Sequence, residues 1–283
     1  MAILNSLELL ELTKSKQHGL PHLDVGGGNI DIIHGVCSAL KDLDCGAILA
    51  STPSSVKDYH GYEHFVESIT SISNYYDVPV SIHLDHAQSE EDIINAVEAG
   101  YSSVMYDGSH LSLDENIKNT AKIVKLSKNN GISVEGEVGI IAGKEDEIIN
   151  EANKYPTFKQ ALRFVEETNV DFFAPAIGTA HGFYDSKPDI QWNLINDLIQ
   201  IKTNFVLHGV TGLSEKNLKI FIDLGYKKFN FATGVRSEFR NGVISKIDAD
   251  GTATKPQVYL KEGKLKVYEF VKNVIKKLEP NEL

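Results

Sequence analysis

Two cysteines in 283 residues are too few for a disulfide scaffold, and a chain of this length can bury a large core without one. Cys37 and Cys45 both lie in apolar segments, which suits reduced thiols and a cytoplasmic location. Long hydrophobic runs are missing too: no stretch approaches the roughly 18 apolar residues of a membrane span, so no membrane partner is expected. The N-terminus, MAILNSLELLELTKSK, carries Glu8 and Glu11 and lacks the basic-then-apolar order of a secretory leader. Positive charge is scarce. Lys and Arg number 28 against 39 Asp and Glu, a formal charge of −11, and no basic stretch is interleaved with aromatics, which excludes nucleic acid as a partner. Repeats, low-complexity tracts and Pro/Ser-rich linkers are absent as well, so one domain over residues 1–283 is expected.

What is present is an alternation. Short apolar runs occur at 20–24 (LPHLD), 46–50, 78–83 (VPVSIH), 102–106, 132–137 (ISVEGE), 171–177, 204–208 (NFVLH) and 227–231 (KKFNF). Between them lie stretches of helical periodicity at 32–40, 62–76, 90–100, 115–129, 158–168, 192–201 and 215–225. Ser89 and Ser214 precede acidic first turns, and Gly100 and Gly225 stand where a helix C-cap belongs. Eight strands separated by helix-sized segments predict a parallel sheet, and eight units close an α/β (β/α)₈ barrel. An open doubly wound sheet is the competitor, but Gly26–Gly28 do not form the GxGxxG fingerprint of a dinucleotide fold. A further amphipathic helix over about 262–278 covers the barrel or a partner subunit.

In such a barrel the active site lies at the strand C-ends. The third run is followed by His83-Leu84-Asp85-His86, the sixth by Gly178-Thr179-Ala180-His181-Gly182, and the seventh by His208-Gly209-Val210-Thr211-Gly212. Imidazoles from three strands, with no thiolate among them, suit a zinc ion with an open fourth position, and His86, His181 and His208 are the candidates. The alternative is three satisfied structural histidines. Asp85 faces the same mouth, with His83 beside it as a supporting group. The other histidines (His18, His22, His34, His60, His64 and His110) are structural by default. Gly209 and Gly212, then Asn230 and Thr233 opening the next helix, place amides and hydroxyls where many barrels hold phosphate. Val138–Thr157 has no sustained periodicity and reads as a lid bearing Glu145 or as a solvated charged excursion.

The segment HLDHAQSEEDIINAVEAGYSSVMYDGSHLSLDENI (83–117) resembles the signature region of the class II, zinc-dependent fructose/tagatose-bisphosphate aldolases. Residues 134–146, 164–184 and 206–233 continue the likeness in family order. The resemblance implies a lyase that cleaves and forms a ketose phosphate through a zinc-bound enediolate of dihydroxyacetone phosphate. It implies that His86, His181 and His208 bind one Zn²⁺, that Glu137 approaches the metal as an alternative ligand, and that Asp107 supports a ligand from behind. Asp85 then protonates the aldehyde oxygen, and Glu145 moves the proton at the donor carbon. Gly182, Gly209, Thr211, Asn230 and Thr233 hold the phosphate and hydroxyls of dihydroxyacetone phosphate, Val210, Ala232 and Ser51 are further substrate-binding candidates, and Asp24 lies toward the acceptor half. A monovalent cation, Na⁺ or K⁺, and a dimer or tetramer are also family expectations.

Three positions depart from that pattern. HGGSG reads His208-Gly209-Val210-Thr211-Gly212, the lysine four residues after the second zinc histidine is Asp185 with Lys187 two further on, and Phe-Asn-Val reads Leu23-Asp24-Val25. A carboxylate at Asp24 repels a second phosphate, so an acceptor other than glyceraldehyde 3-phosphate is expected. An ordinary bisphosphate aldolase, a zinc lyase or isomerase on a sugar phosphate, and a non-catalytic family member are the alternatives.

Overall fold

A computed structural model of the chain describes residues 3–15, 19–145, 148–150, 154–182, 188–252 and 254–278, with the side chains of 144–150 outside the description. Asp185 and Lys187 therefore lie outside the described residues, as does the Glu145 side chain. Eight parallel strands close into a barrel: β1 (Leu20–Asp24), β2 (Ala47–Ser51), β3 (Val80–Ala87), β4 (Ser103–Tyr106), β5 (Ser133–Val138), β8 (Phe172–Pro175), β10 (Asn204–Leu207) and β11 (Lys228–Phe231). Three short strands lie outside it: β6 (Ala142–Glu145), β7 (Ile148–Asn150) and β9 (Ala180–His181). The helices are α1 (Ser6–Thr13), α2 (Ile30–Leu43), α3 (Pro53–Tyr59), α4 (Tyr62–Tyr76), α5 (Glu90–Ala99), α6 (Leu113–Lys128), α7 (Phe158–Thr168), α8 (Trp192–Leu198), α9 (Glu215–Asp223), α10 (Ala232–Ala249) and α11 (Pro256–Leu278). This is the (β/α)₈ barrel the sequence predicted. No helix among the described residues is long and apolar enough to cross a membrane.

Local chemistry sets the element ends. Ser112 with Glu115, and Thr157 with Gln160, form reciprocal capping boxes that start α6 and α7. Ser89 caps α5, and Gly100 ends it in the left-handed conformation. The strands obey a period of two. Leu23, Leu49, Ile82, Leu84, Val104, Val134, Phe173, Leu207 and Phe229 point outward into the main core beneath the helices. Each such burial stabilises the fold by roughly 1.5–3 kcal/mol. The intervening residues point inward. At the strand N-ends these are apolar: Leu20 and Ile48 pack with Leu9, while Phe172, Ala174 and Val206 meet Leu7 and Leu10, so α1 stoppers the barrel floor. Nearer the C-ends they are polar and buried: His22, His83, Asp85, Glu135, Glu137, Lys228 and Asn230. The C-terminal helix begins earlier than periodicity suggested, at Pro256, and packs along α10 and α2 through Val267, Val271 and Ile275. Cys37 and Cys45 are buried thiols not joined in a disulfide, and burial pushes the Cys37 thiol up to about 12.

Candidate active site

Asp85 and His86 are consecutive, so a regular strand would point them to opposite faces. β3 avoids this with a bulge. Its register with β4 shifts between Leu84 and Ala87, and His86 takes φ +48, a left-handed conformation rare outside glycine. The local break lets both side chains line the same mouth.

His86 and His208, at the ends of β3 and β10, meet His181 on β9. His86 Nε2 lies 3.1 Å from His208 Nδ1, and His181 Nε2 lies 3.3 Å from the same atom. Nitrogens held 2.0–2.1 Å from one tetrahedral zinc stand about 3.3–3.4 Å apart, so the triad matches the edge lengths of a zinc site. Two rings are oriented from behind. His86 Nδ1 is 3.0 Å from Asp107 Oδ2, and Asp107 Oδ1 accepts the Ser109 amide at 3.0 Å. His208 Nε2 is 2.9 Å from Glu135 Oε1. Each carboxylate holds its imidazole in the tautomer that leaves the other nitrogen free to coordinate. Burial lowers His181 well below its ordinary value and lowers His208 as well, so both present neutral, ligand-competent rings at neutral pH. The donor set fits the metal.

Carboxylates around the triad sit in opposed settings. Burial would raise Asp107, yet its bonds to His86 and Ser109 hold it far below the carboxylate range. Glu137 goes the other way: burial and the Asp107 charge push it well above its ordinary value. Among the described residues its Oε2 has no hydrogen-bond partner, and its carboxyl lies with Asp107 and His86 as a second metal-capable group. Asp85 is held low despite burial, by His22 and His86 first of all. Below, Lys228 and Glu135 form a fully buried ion pair, and Lys228 Nζ also reaches His83 Nε2 at 3.3 Å. Sequence reasoning passed over Glu135 and Lys228. The period of two offered a signal, since Glu135 shares a face with Glu137, and Lys228 with Asn230.

Asp85, His86, His181, Gly182, His208, Gly209, Thr211, Asn230, Ala232 and Thr233 line one pocket. Its far wall is built from two chain turns. Val210–Gly212 form a single 3₁₀ turn after β10, and α10 opens at Ala232 with no side chain capping its first turn. Gly209, at φ +68, lies so close to Ala180 that a Cβ would fall on its carbonyl oxygen. Val210 behaves otherwise than its position suggested: it is buried in the hydrophobic core and does not line the pocket. Ser51 is also outside the lining and accepts the Gly27 amide at 3.0 Å. Asp24 accepts the Gly26 amide at 2.7 Å and pairs with Arg236 Nη1 at 3.2 Å. The aperiodic Val138–Thr157 segment contains an antiparallel hairpin, β6–β7, whose β6 pairs with β9 beside His181.

The family model for "Fructose-bisphosphate aldolase class-II" matches residues 4–282. The crystal structure of the YdjI aldolase from Escherichia coli K12 is 26% identical, with the alignment covering 98% of this chain and 97% of that one at a TM-score of 0.84. The fructose-bisphosphate aldolase of Campylobacter jejuni, 20% identical over 98% of this chain and 95% of its own, shares the fold at a TM-score of 0.81.

Proposed function

The chain belongs to the class II fructose-bisphosphate aldolase family, and we propose that it cleaves and forms a ketose phosphate, retaining dihydroxyacetone phosphate and releasing an aldehyde other than glyceraldehyde 3-phosphate. The observation that carries this reading is the convergence of three imidazoles at tetrahedral-edge spacing beside an uncapped helix start in one pocket. A zinc ion held by His86, His181 and His208 would act as a Lewis acid for the negative charge that develops on the donor oxygens.

The residues then divide the work. The amides opening α10 and the 3₁₀ turn, with the Thr211 and Thr233 hydroxyls, hold the donor phosphate. In cleavage Asp85 takes the proton of the hydroxyl on the carbon that becomes the aldehyde. The electrons of that O–H bond form the carbonyl, and the pair of the breaking carbon–carbon bond passes to the three-carbon half. Glu145 returns a proton to that carbon, and Glu137 is a reserve ligand whose carboxyl is pushed well above its ordinary value by burial and by Asp107.

The acceptor side turns on Asp24. Its carboxylate does more than repel, because it engages Arg236, less than one turn beyond Thr233. A guanidinium so committed is withdrawn from service to a second phosphate, which favours an uncharged aldehyde. Steady-state cleavage of fructose 1,6-bisphosphate beside a series of ketose 1-phosphates tests this. A higher kcat/KM for the monophosphates is expected; a clear preference for the bisphosphate overturns the acceptor assignment.

A further inference from the structure

Below the pocket, Asp85 is bracketed by two imidazoles of the barrel interior. His22 Nε2 on β1 approaches Asp85 Oδ2 to 3.4 Å, and His83 Nε2 approaches Asp85 Oδ1 to 3.5 Å. The two rings meet edge to face, with centroids 5.4 Å apart. They are not equivalent donors. His83 Nε2 lies 3.3 Å from Lys228 Nζ, and its Nδ1 lies 2.7 Å from Ser103 Oγ. An ammonium has only protons to give, so His83 must offer Lys228 the lone pair of Nε2 and carry its hydrogen on Nδ1, toward the serine. Burial and the Lys228 charge keep His83 from taking a second proton. Its Nε2 therefore has no hydrogen for Asp85.

His86 is further away, with Nε2 4.0 Å from Asp85 Oδ2, and that nitrogen belongs to the metal triad. His22 remains. It is fully buried, and among the described residues neither of its ring nitrogens makes a hydrogen bond, which leaves the 3.4 Å approach of Nε2 to Asp85 as its nearest polar contact. A buried imidazole with both nitrogens unsatisfied is costly, and a small turn of the ring that aims an Nε2 hydrogen at Asp85 recovers part of that cost. The charged or titratable groups that face it are Asp85 and His83 from β3, Lys228 from β11 and Glu135 from β5. Burial holds His22 well below its ordinary value, so it faces Asp85 as a neutral ring with a single N–H.

We propose that His22 is a positioning residue: its Nε2–H fixes the Asp85 carboxylate in the orientation that exchanges a proton with the aldehyde-half oxygen. The inference rests on the aldolase reading, in which Asp85 serves the carbon–carbon step and not the proton at the donor carbon. His22 keeps its own proton throughout, and Asp85 gains one in cleavage and returns it in condensation.

Two half-reactions separate this role from a structural one. Exchange of the donor-carbon hydrogen of dihydroxyacetone phosphate with D₂O, followed by NMR, reports the zinc site and the lid; retro-aldol cleavage reports Asp85 as well. In zinc-loaded enzyme, His22→Ala is expected to lower kcat for cleavage about 10- to 100-fold, the usual cost of losing an orienting partner. Exchange and zinc content should stay as in the wild type. His22→Gln, whose amide restores an N–H, should recover most of the rate. Unchanged cleavage in His22→Ala overturns the inference, as does equal loss of both half-reactions, or no recovery with Gln. Asp85→Asn is the control: it should abolish cleavage while sparing exchange. If it cleaves like the wild type the inference falls, and if the wild type neither exchanges nor cleaves, the aldolase reading falls first.

Discussion

Among single residues, His181 separates metal binding from folding most cleanly. It sits on a two-residue strand outside the barrel, so His181→Ala removes a ligand without touching the core. The expected result is loss of zinc, from one ion per chain toward none by elemental analysis, with cleavage lost and the circular dichroism spectrum unchanged. Retained metal and activity would refute the triad. Asp24→Asn acts on specificity. Releasing Arg236 should raise kcat/KM for a bisphosphate substrate relative to a monophosphate by about 10-fold, on the scale of one charge-assisted hydrogen bond. Glu137 yields a pH signature in the metal-free protein. Its folded pKa lies above the ordinary 4.5. Its stabilising contribution is therefore complete below that unfolded value and is lost as pH rises through the folded one. Glu137→Gln should match the wild-type Tm near pH 4 and exceed it progressively toward pH 8. A gap independent of pH in scanning calorimetry would show that Glu137 ionises normally.

At the level of elements, the hairpin β6–β7 matters because it docks on the strand that carries His181. Gly143 makes the docking possible: it has φ +107, and a Cβ there would come within 2.5 Å of the His181 carbonyl oxygen. Gly143→Ala should displace His181 and weaken zinc binding about 10-fold, consistent with backbone strain of ~1–3 kcal/mol, as competition with a chelating dye would measure. Undiminished affinity would mean that the hairpin does not set the ligand's position. This segment was hard to read in sequence because β6 and β7 are short and their pairing is local, so no hydrophobic period accumulates. Long, strongly periodic elements were legible to the residue: the helices at 62–76 and 158–168 form as spaced. β3 outran its expected end at residue 83 because it continues through the bulge to Ala87.

For the molecule as a whole, the barrel interior pairs an apolar floor with a charged upper half, and the Lys228–Glu135 pair joins the two. Breaking it should be costly. Lys228→Met leaves a buried, half-compensated carboxylate and should destabilise the protein by about 3–5 kcal/mol in denaturant titration, and adding Glu135→Gln should recover part of that loss. A change under ~1 kcal/mol would show the pair to be solvated. The order of apolar runs and amphipathic helices sufficed to dictate a parallel barrel, because such strands must be covered by helices and eight of them close on themselves. The residues following those runs likewise placed the three histidines and the Gly209–Gly212 and Asn230–Thr233 turns at one end. Tertiary structure alone decided which interior groups meet. Parity along one strand says that His22, Glu135 and Lys228 face inward, but only the register around the closed barrel sets His22 against Asp85 and Lys228 against Glu135. Only the bulge at His86, a backbone conformation and not a residue pattern, turns two adjacent side chains toward the same pocket.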